Sequence, residues 1–426
     1  MEKVTQKDHG PKNLKALVAI TTVLSLVMVV RGMMLSIASP VLIEISRSLS
    51  TATPNMGLLF GIYNAGFVAG SVTSAHRFFK KIDHTLLLIF ALLLQAIFVF
   101  IFSISRNFAF ALIMNFIVGI ASGIITTLTS IILAEIGKSR EAFYQNLGYM
   151  FVSLGAFVSP YLSSLIVSSG SSWSLAYQMV AAFTFANSIL MIIVVRMRHF
   201  KNDSHLFNTQ IPEKIEKMEA KKGLRKFQGI FSTVLILLIF STFFYVTAER
   251  GLTTWLPTFL RTQRNIDIFY SGQTLSFFWL AIAAGRLITS IASRRFDFVK
   301  ITIFQGFLGF IATALIVFAT DRTAVILLVL IAGLCYSSIW PNIVAFSSRH
   351  FKKTRDSVIS ILIATTGVGA IIAPWLLGEI YNISSLYISL LCVSLFLLIQ
   401  TLIFLTIRVI VNKNKLNHLR DQISVR

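Results

Sequence analysis

Long apolar runs alternate with short polar clusters along this chain, and the runs organise everything else in it. Twelve runs stand out, at about 15–43, 54–76, 84–104, 108–136, 143–168, 174–196, 229–260, 271–293, 300–320, 323–348, 357–380 and 385–410. Each has the length or nearly the length, about 20 residues, that carries a helix across a bilayer core. A backbone in hydrocarbon must satisfy its own hydrogen bonds, so runs of this kind are expected to be helices. The first run follows a basic stretch as a secretory leader would. It is too long for one and eleven more follow, so it is kept as a span of the mature chain. The expected fold is an all-α membrane protein of twelve transmembrane helices.

Composition agrees with that reading. Of 426 residues 55% are hydrophobic and only 13% charged, with 37 phenylalanines. A soluble domain is about 45–50% apolar and about 25% charged. The excess of 38 Lys+Arg over 17 Asp+Glu, a net charge of +21, would suggest nucleic acid in a soluble chain. Here it marks orientation. Thirty of the cations fall in the termini and alternate loops, five (Arg47, Arg106, Arg261, Arg264, Arg322) in the other loops, and three (Arg31, Arg250, Arg286) inside runs. Cytoplasmic loops carry the positive excess. Both termini are therefore expected in the cytoplasm, in a multi-pass protein of the cell membrane facing an anionic inner leaflet. No nucleic-acid partner is expected. Cys335 and Cys392 lie in apolar runs, which excludes a disulfide framework or a cysteine zinc site. The seven histidines all lie in or beside polar loops, so neither a buried metal nor a histidine proton relay is expected.

One long loop, 198–228, splits the runs six and six. The expected organisation is an N-terminal six-helix bundle over 1–197, a cytoplasmic loop over 198–228, a C-terminal six-helix bundle over 229–411 and a tail over 412–426. Within the loop Ile211, Ile215 and Met218 fall at helical spacing among lysines, which suits either a short helix on the inner leaflet or a solvated linker. The halves repeat. Leu154–Leu162 matches Val368–Leu376 around Pro160 and Pro374, Arg77-Phe78 matches Arg295-Phe296, and Arg31-Gly32 matches Arg250-Gly251, at offsets of 214, 218 and 219. An offset of an even number of helices makes the bundles parallel repeats about the membrane normal, with the substrate site at their interface. Gly66-x3-Gly70 and Gly119-x3-Gly123 each put two glycines on one helix face for close packing.

Three stretches carry a resemblance. The seventh run reads Tyr245-Val-Thr-Ala-Glu249-Arg-Gly-Leu-Thr-Thr-Trp255-Leu-Pro257-Thr-Phe-Leu260, the tenth Gly333-Leu-Cys-Tyr-Ser-Ser-Ile-Trp340-Pro341-Asn-Ile, and the eleventh Gly367-Val-Gly369-Ala-Ile-Ile-Ala-Pro374-Trp-Leu-Leu-Gly378. With the repeat, the chain resembles major facilitator superfamily transporters over nearly its whole length, and within them the fucose/glucose-type sugar:proton symporters. The resemblance implies two pseudo-symmetric bundles and alternating access. It also implies acids in helices 1 and 4, but Ser36 and Thr126 stand there, and of the expected acids only Glu249 in helix 7 matches. The superfamily's loop between helices 2 and 3 keeps its cations, as His76-Arg77-Phe-Phe-Lys-Lys81, without the usual Asp and Gly.

Ionisable groups inside a membrane are functional candidates by default. Arg31 lies mid-way along helix 1, and Glu249 and Arg250 along helix 7. Two readings stand side by side. Arg31 and Glu249 line the cavity, with Glu249 as proton or sodium carrier or hydroxyl acceptor and Arg31 as counter-charge or anion anchor; or they form a fixed ion pair. Glu249 and Arg250 point about 100° apart, so at most one faces the cavity squarely. Neutral candidates for substrate are Tyr63, Asn64, Asn115, Tyr149, Tyr245, Trp279, Trp340, Asn342, Thr365 and Thr366, with Asn64, Trp279 and Asn342 preferred. Arg286, Glu135, Arg77 and Arg295 are expected to be gate or structural charges. No enzymatic constellation can be assembled inside the spans. Gly137-Lys138-Ser139 lacks the first glycine and the strand of a phosphate-binding loop.

The function expected is secondary active transport of a small solute, proton-coupled, most simply a sugar or polyol. The alternative is proton-coupled efflux of amphipathic compounds or organic-anion transport. No cofactor is expected beyond a proton or sodium coupling ion, and the partners are a small-molecule substrate and the lipid bilayer, with the protein a monomer.

Overall fold

The computed structural model describes residues 11–74, 83–137, 141–199, 232–293, 295–352 and 354–424. The central loop's expected helix, and Arg77 of the loop after the second span, lie outside them. Helices long and apolar enough to span a membrane number twelve among these residues. The first half holds α1 (Val18–Ser48), α2 (Thr53–Ser74), α3 (His84–Ser103), α4 (Phe108–Ala134), α5 (Leu147–Ser168) and α6 (Trp173–Arg196). The second holds α7 (Thr233–Gln263), α8 (Ile268–Ala292), α9 (Phe298–Phe318), α10 (Arg322–His350), α11 (Ser357–Ile383) and α12 (Leu386–Lys413). An even number of spans brings both termini to one side, called here the terminus end, with the far end opposite.

Loop acids hold the helix starts. Asp83 accepts from the Thr85 N–H at 2.7 Å, Asp267 from Phe269 at 2.7 Å, Asp297 from Val299 at 3.0 Å and Asp321 from Ala324 at 2.8 Å. Each satisfies one of the donors that a helix N-terminus leaves open. Two spans are not continuous. In α1, Pro40 breaks the helix into Pro11–Ser36 and Leu42–Ser48 around a short tight turn, Ser39–Val41, because proline has no N–H to continue the ladder. The break is why the first span runs to Ser48 rather than to the expected 43. In α10, the segments Arg322–Tyr336 and Ile339–His350 meet at Ser337 and Ser338, just before Pro341.

The spans pack as two pseudo-symmetric six-helix bundles, α1–α6 and α7–α12. Inside the first bundle α2 and α4 run parallel and touch backbone to backbone. A Cβ on Gly66 would strike the Phe116 carbonyl, and one on Gly70 the Ile120 carbonyl. Reciprocally, a Cβ on Gly119 would strike the Tyr63 carbonyl, and one on Gly123 the Phe67 carbonyl. Small residues let helices approach this closely in lipid, where apolar side chains gain nothing by leaving the solvent. Phe90, Phe100, Phe110, Phe240, Phe304, Phe307 and Phe318 are exposed on the outer faces, as a surface meant for hydrocarbon requires.

The contacts between bundles gather in the far half. α2 meets α11 there, with Gly57 against the Pro374 carbonyl and Gly378 against the Pro54 carbonyl. α5 meets α8 through Gly272 on Pro160 and Ser164, and through the Tyr161 and Phe269 rings, 5.4 Å between centroids.

Candidate functional site

Beneath this far-end contact lies a cavity of about 30 Å³ between the bundles, lined by six helices. α1 supplies Met34, Leu35 and Ala38, α2 supplies Leu59, Phe60, Tyr63 and Asn64, and α4 and α6 supply Asn115 and Tyr177. From the second bundle come Arg250, Thr253 and Thr254 of α7, and Pro374 of α11. The i, i+3, i+4 spacing of the α7 residues puts all three on one helix face. At about 10–15 Å³ for a water, the space admits about two.

Two amides fix the wall. Asn64 Nδ2 donates to the Phe60 carbonyl at 2.8 Å, and Asn115 Nδ2 donates across from α4 to the Leu59 carbonyl at 2.7 Å. With a donor engaged on each, the Oδ1 atoms remain as acceptors. Thr253 Oγ1 donates back to the Glu249 carbonyl at 2.9 Å, so its lone pairs face outward from the helix. The Tyr63 hydroxyl and Arg250 Nε are buried in the protein without a hydrogen-bond partner.

The expected charges separate. Arg31 sits one turn from Met34 and Leu35 on the same face of α1, its guanidinium 4.3 Å over the Phe67 ring, within electrostatic reach of Tyr63, Tyr149 and Arg250. Arg31 and Glu249 do not form an ion pair: the bridge between described residues is elsewhere, between Arg261 and Glu44. Arg250 takes the cavity face of α7. Glu249 is turned into the second bundle, against the Tyr245 hydroxyl and within reach of Tyr336. Tyr245 in turn donates to the Tyr336 carbonyl at 3.0 Å, tying α7 to α10.

Of the neutral candidates Tyr63, Asn64 and Asn115 line the cavity, and of the preferred three only Asn64 does. Trp279 is buried on α8 against Phe278, and Asn342 is buried on α10; Trp279 Nε1 and Asn342 Nδ2 have no partner. Arg286 is exposed at the terminus side of the cavity level and makes long contacts, 3.4 Å each, to the Ser337 carbonyl and to Ser153 of the opposite bundle. Tyr149 is 50% exposed although it lies within reach of Arg31. Arg286 and Tyr149 are thus exposed on the terminus side, while Gly57, Gly272 and Gly378 close the far end. Arg295 is exposed beyond α8, while the Glu135 side chain lies outside the described residues. Ser36 and Thr126, which stand where the sugar symporters carry acids, have structural bonds: Ser36 Oγ donates to the Ala156 carbonyl at 2.9 Å and Thr126 to Ser122 at 2.7 Å.

The far-end seal was not among the expected site residues. Arg261 of α7 reaches Glu44 of α1 through two bonds, Nη1 to Oε2 at 2.8 Å and Nη2 to Oε1 at 2.6 Å, and Nη1 also donates to the Pro40 carbonyl at 3.1 Å. Arg261 and Glu44 come from the first span of each bundle, and no spacing in the sequence marks them as partners. Tyr177, Thr253 and Thr254 are further wall residues that periodicity alone does not separate from packing residues.

Comparison with known proteins places the architecture. The model of the family described as Major Facilitator Superfamily matches residues 24–325 and 298–422. The glucose/mannose transporter GlcP of Bacillus subtilis (strain 168) is 25% identical over 349 residues, covering 81% of this chain and 82% of the relative. A TsgA homolog of Buchnera aphidicola subsp. Baizongia pistaciae (strain Bp) is 23% identical over 369 residues, 86% of this chain and 90% of the relative. Among solved structures, a bacterial homolog of the human lysosomal transporter Spinster, inward-facing and unoccupied, superposes with a TM-score of 0.73 at 14% identity, covering 94% of this chain and 98% of that one.

Proposed function

The chain belongs to the Major Facilitator Superfamily, a family of membrane transporters rather than enzymes, and from that premise we propose that it moves a sugar or polyol by proton-coupled symport. In this reading both termini face the cytoplasm of a cell membrane, and the halves 1–197 and 229–411 rock about the cavity. The observation that carries the proposal is the cavity wall itself. Asn64, Asn115, Tyr63, Tyr177, Thr253 and Thr254 offer amide and hydroxyl groups for substrate hydroxyls at the interface of the repeats. The likeness to a glucose/mannose transporter over four-fifths of the chain supports the substrate class.

Glu249 is the proposed proton carrier. It is the ionisable acid of α7 at cavity level, it has no ion-pair partner among the described residues, and its tie to Tyr245 and Tyr336 couples it to α10. Trp279 and Asn342, each with a buried N–H lacking a partner, supply donors to substrate as the far end opens. Arg286 and Arg295 belong to the gate on the terminus side.

The test is uptake by proteoliposomes of a labelled panel of sugars, organic anions and lipophilic cations, with and without an imposed pH gradient. Sugar uptake driven by the gradient is expected. Counterflow of a lipophilic cation with no response to any sugar refutes the substrate class, and gradient-independent accumulation refutes proton coupling.

A further inference from the structure

Two cations share the cavity region, Arg250 in its wall and Arg31 one turn beyond its lining on α1. Arg31 and Arg250 have no carboxylate within ion-pair distance among the described residues, and they lie close enough to repel each other. Arg31 Nη1 and Arg250 Nε are buried and unpartnered. The face of Phe67 partly balances the charge of Arg31 but accepts none of its in-plane N–H donors. Charge inside a membrane is retained where it is used or neutralised. Here it is held without neutralisation, at matching places in the two repeats: Arg31, Met34 and Leu35 of α1 stand 219 residues from Arg250, Thr253 and Thr254 of α7.

Resting on the sugar reading above, we propose that Arg31 and Arg250 form an anion subsite and that the transported sugar carries a carboxylate. The planar guanidinium fork suits a carboxylate, with two parallel N–H···O bonds to its two oxygens. Arg31 and Arg250 with Glu249 sum to +1 when the carboxyl is ionised and to +2 when it carries its proton, so an anion is favoured in either state, and the two-oxygen fork geometry selects a carboxylate. The Tyr63 hydroxyl and the Oδ1 atoms of Asn64 and Asn115 then face the hydroxyl-bearing carbons. A purely structural pair of arginines would have its donors satisfied by protein groups, and these do not.

The experiment uses the full chain in lipid nanodiscs, with binding of gluconate, glucose, glucose 6-phosphate and benzoate followed by intrinsic tryptophan fluorescence. Gluconate is expected to bind at least about tenfold more tightly than glucose. Arg31→Gln and Arg250→Gln are each expected to weaken gluconate about 10- to 100-fold, the range of lost charge-assisted hydrogen bonds, and so to remove most of its advantage over glucose. Arg31→Lys and Arg250→Lys keep the charge without the fork; they are expected to fall between, and they serve if a Gln variant fails to fold. Glucose binding as tightly as gluconate, with both indifferent to the arginines, overturns the subsite while leaving the sugar reading standing. Arginine-dependent benzoate binding without gluconate selectivity keeps the subsite and refutes the sugar. Preference for glucose 6-phosphate overturns the carboxylate assignment, and binding of none of the four probes overturns the proposal.

Discussion

Replacing Glu44 by Gln removes one charge from the only ion pair that the described residues form between the bundles, and its effect on the conformational equilibrium can be sized. The two bonds, at 2.6 and 2.8 Å, are short and bidentate, and the side chains of Arg261 and Glu44 are 16% and 20% exposed. Fully exposed pairs contribute about 0.2–1 kcal/mol, and hydrogen bonds to charged groups about 1.5–3 kcal/mol. A partly buried, solvent-screened pair falls between, at about 1–2 kcal/mol, or roughly 5- to 30-fold in the ratio of far-end-closed to far-end-open molecules. The bond from Arg261 to the Pro40 carbonyl survives in Glu44→Gln, so the lower part of that range is expected there, and the upper part in Arg261→Gln. Nitroxide labels at Ala52 and Thr320, both exposed far-end positions on opposite bundles, report the change as an increased long-distance population in pulsed electron paramagnetic resonance. The charge-swapped double variant should recover most of the closed population. Raising the salt from 0.05 to 0.5 M should mimic part of the loss, since the Debye length shortens severalfold over that range. An unchanged distance distribution in both single variants would show that the glycine contacts alone hold the far end shut.

Other substitutions separate sealing from packing and from coupling. Gly57→Ala sets a methyl group against the Pro374 carbonyl of the opposite bundle, so turnover should fall at least about tenfold with Tm unchanged; Gly66→Ala overpacks a seam within one bundle, at about 1–3 kcal/mol, and should lower Tm by several degrees. Equal Tm losses for the two would contradict that division. Glu249→Gln should abolish pH-gradient-driven accumulation while leaving substrate counterflow, and gradient-driven uptake at the parental rate would remove Glu249 from coupling. Trp279→Phe keeps the ring and deletes one N–H, so sugar uptake should drop severalfold with protein yield preserved; uptake within error of the parent would make Trp279 a packing residue.

The spans were legible in the sequence because an apolar run of membrane length has few other uses, and the largest difference between observed and expected limits falls at Ser48, beyond Pro40. Pro40 lets α1 turn and resume, so its last helical segment lay beyond the expected boundary. The break at Ser337–Ser338 was hidden because an apolar run reads the same whether one helix or two fill it. The 100° between Glu249 and Arg250 showed that one of them must turn from the interface. Which one did so depended on α10, whose Tyr336 comes within reach of Glu249, a tertiary fact. Arg261 was read as a loop charge, and Glu44 was not singled out. Their meeting requires the far end of α7 to lie beside the broken end of α1, which no local pattern encodes.

At the seam of α2 and α4, the partner of each glycine is a carbonyl, and this bears on how the sequence can drift. Any single-base change in a glycine codon that alters the residue adds at least a β-carbon, so alanine meets the same main-chain obstacle as aspartate. Residue polarity, which ranks substitutions almost everywhere else in a membrane helix, loses its meaning at Gly66, Gly70, Gly119 and Gly123. A saturation mutagenesis map should show these columns depleted for every amino acid alike, while Phe90 and Phe110 on the lipid face accept any large apolar side chain. Two of these glycines flank the wall residue Tyr63 and its neighbour Phe67 through contacts with their carbonyls. The seam therefore anchors the backbone of the cavity wall, and substrate preference in this half can evolve through side chains while the main chain beneath them stays fixed.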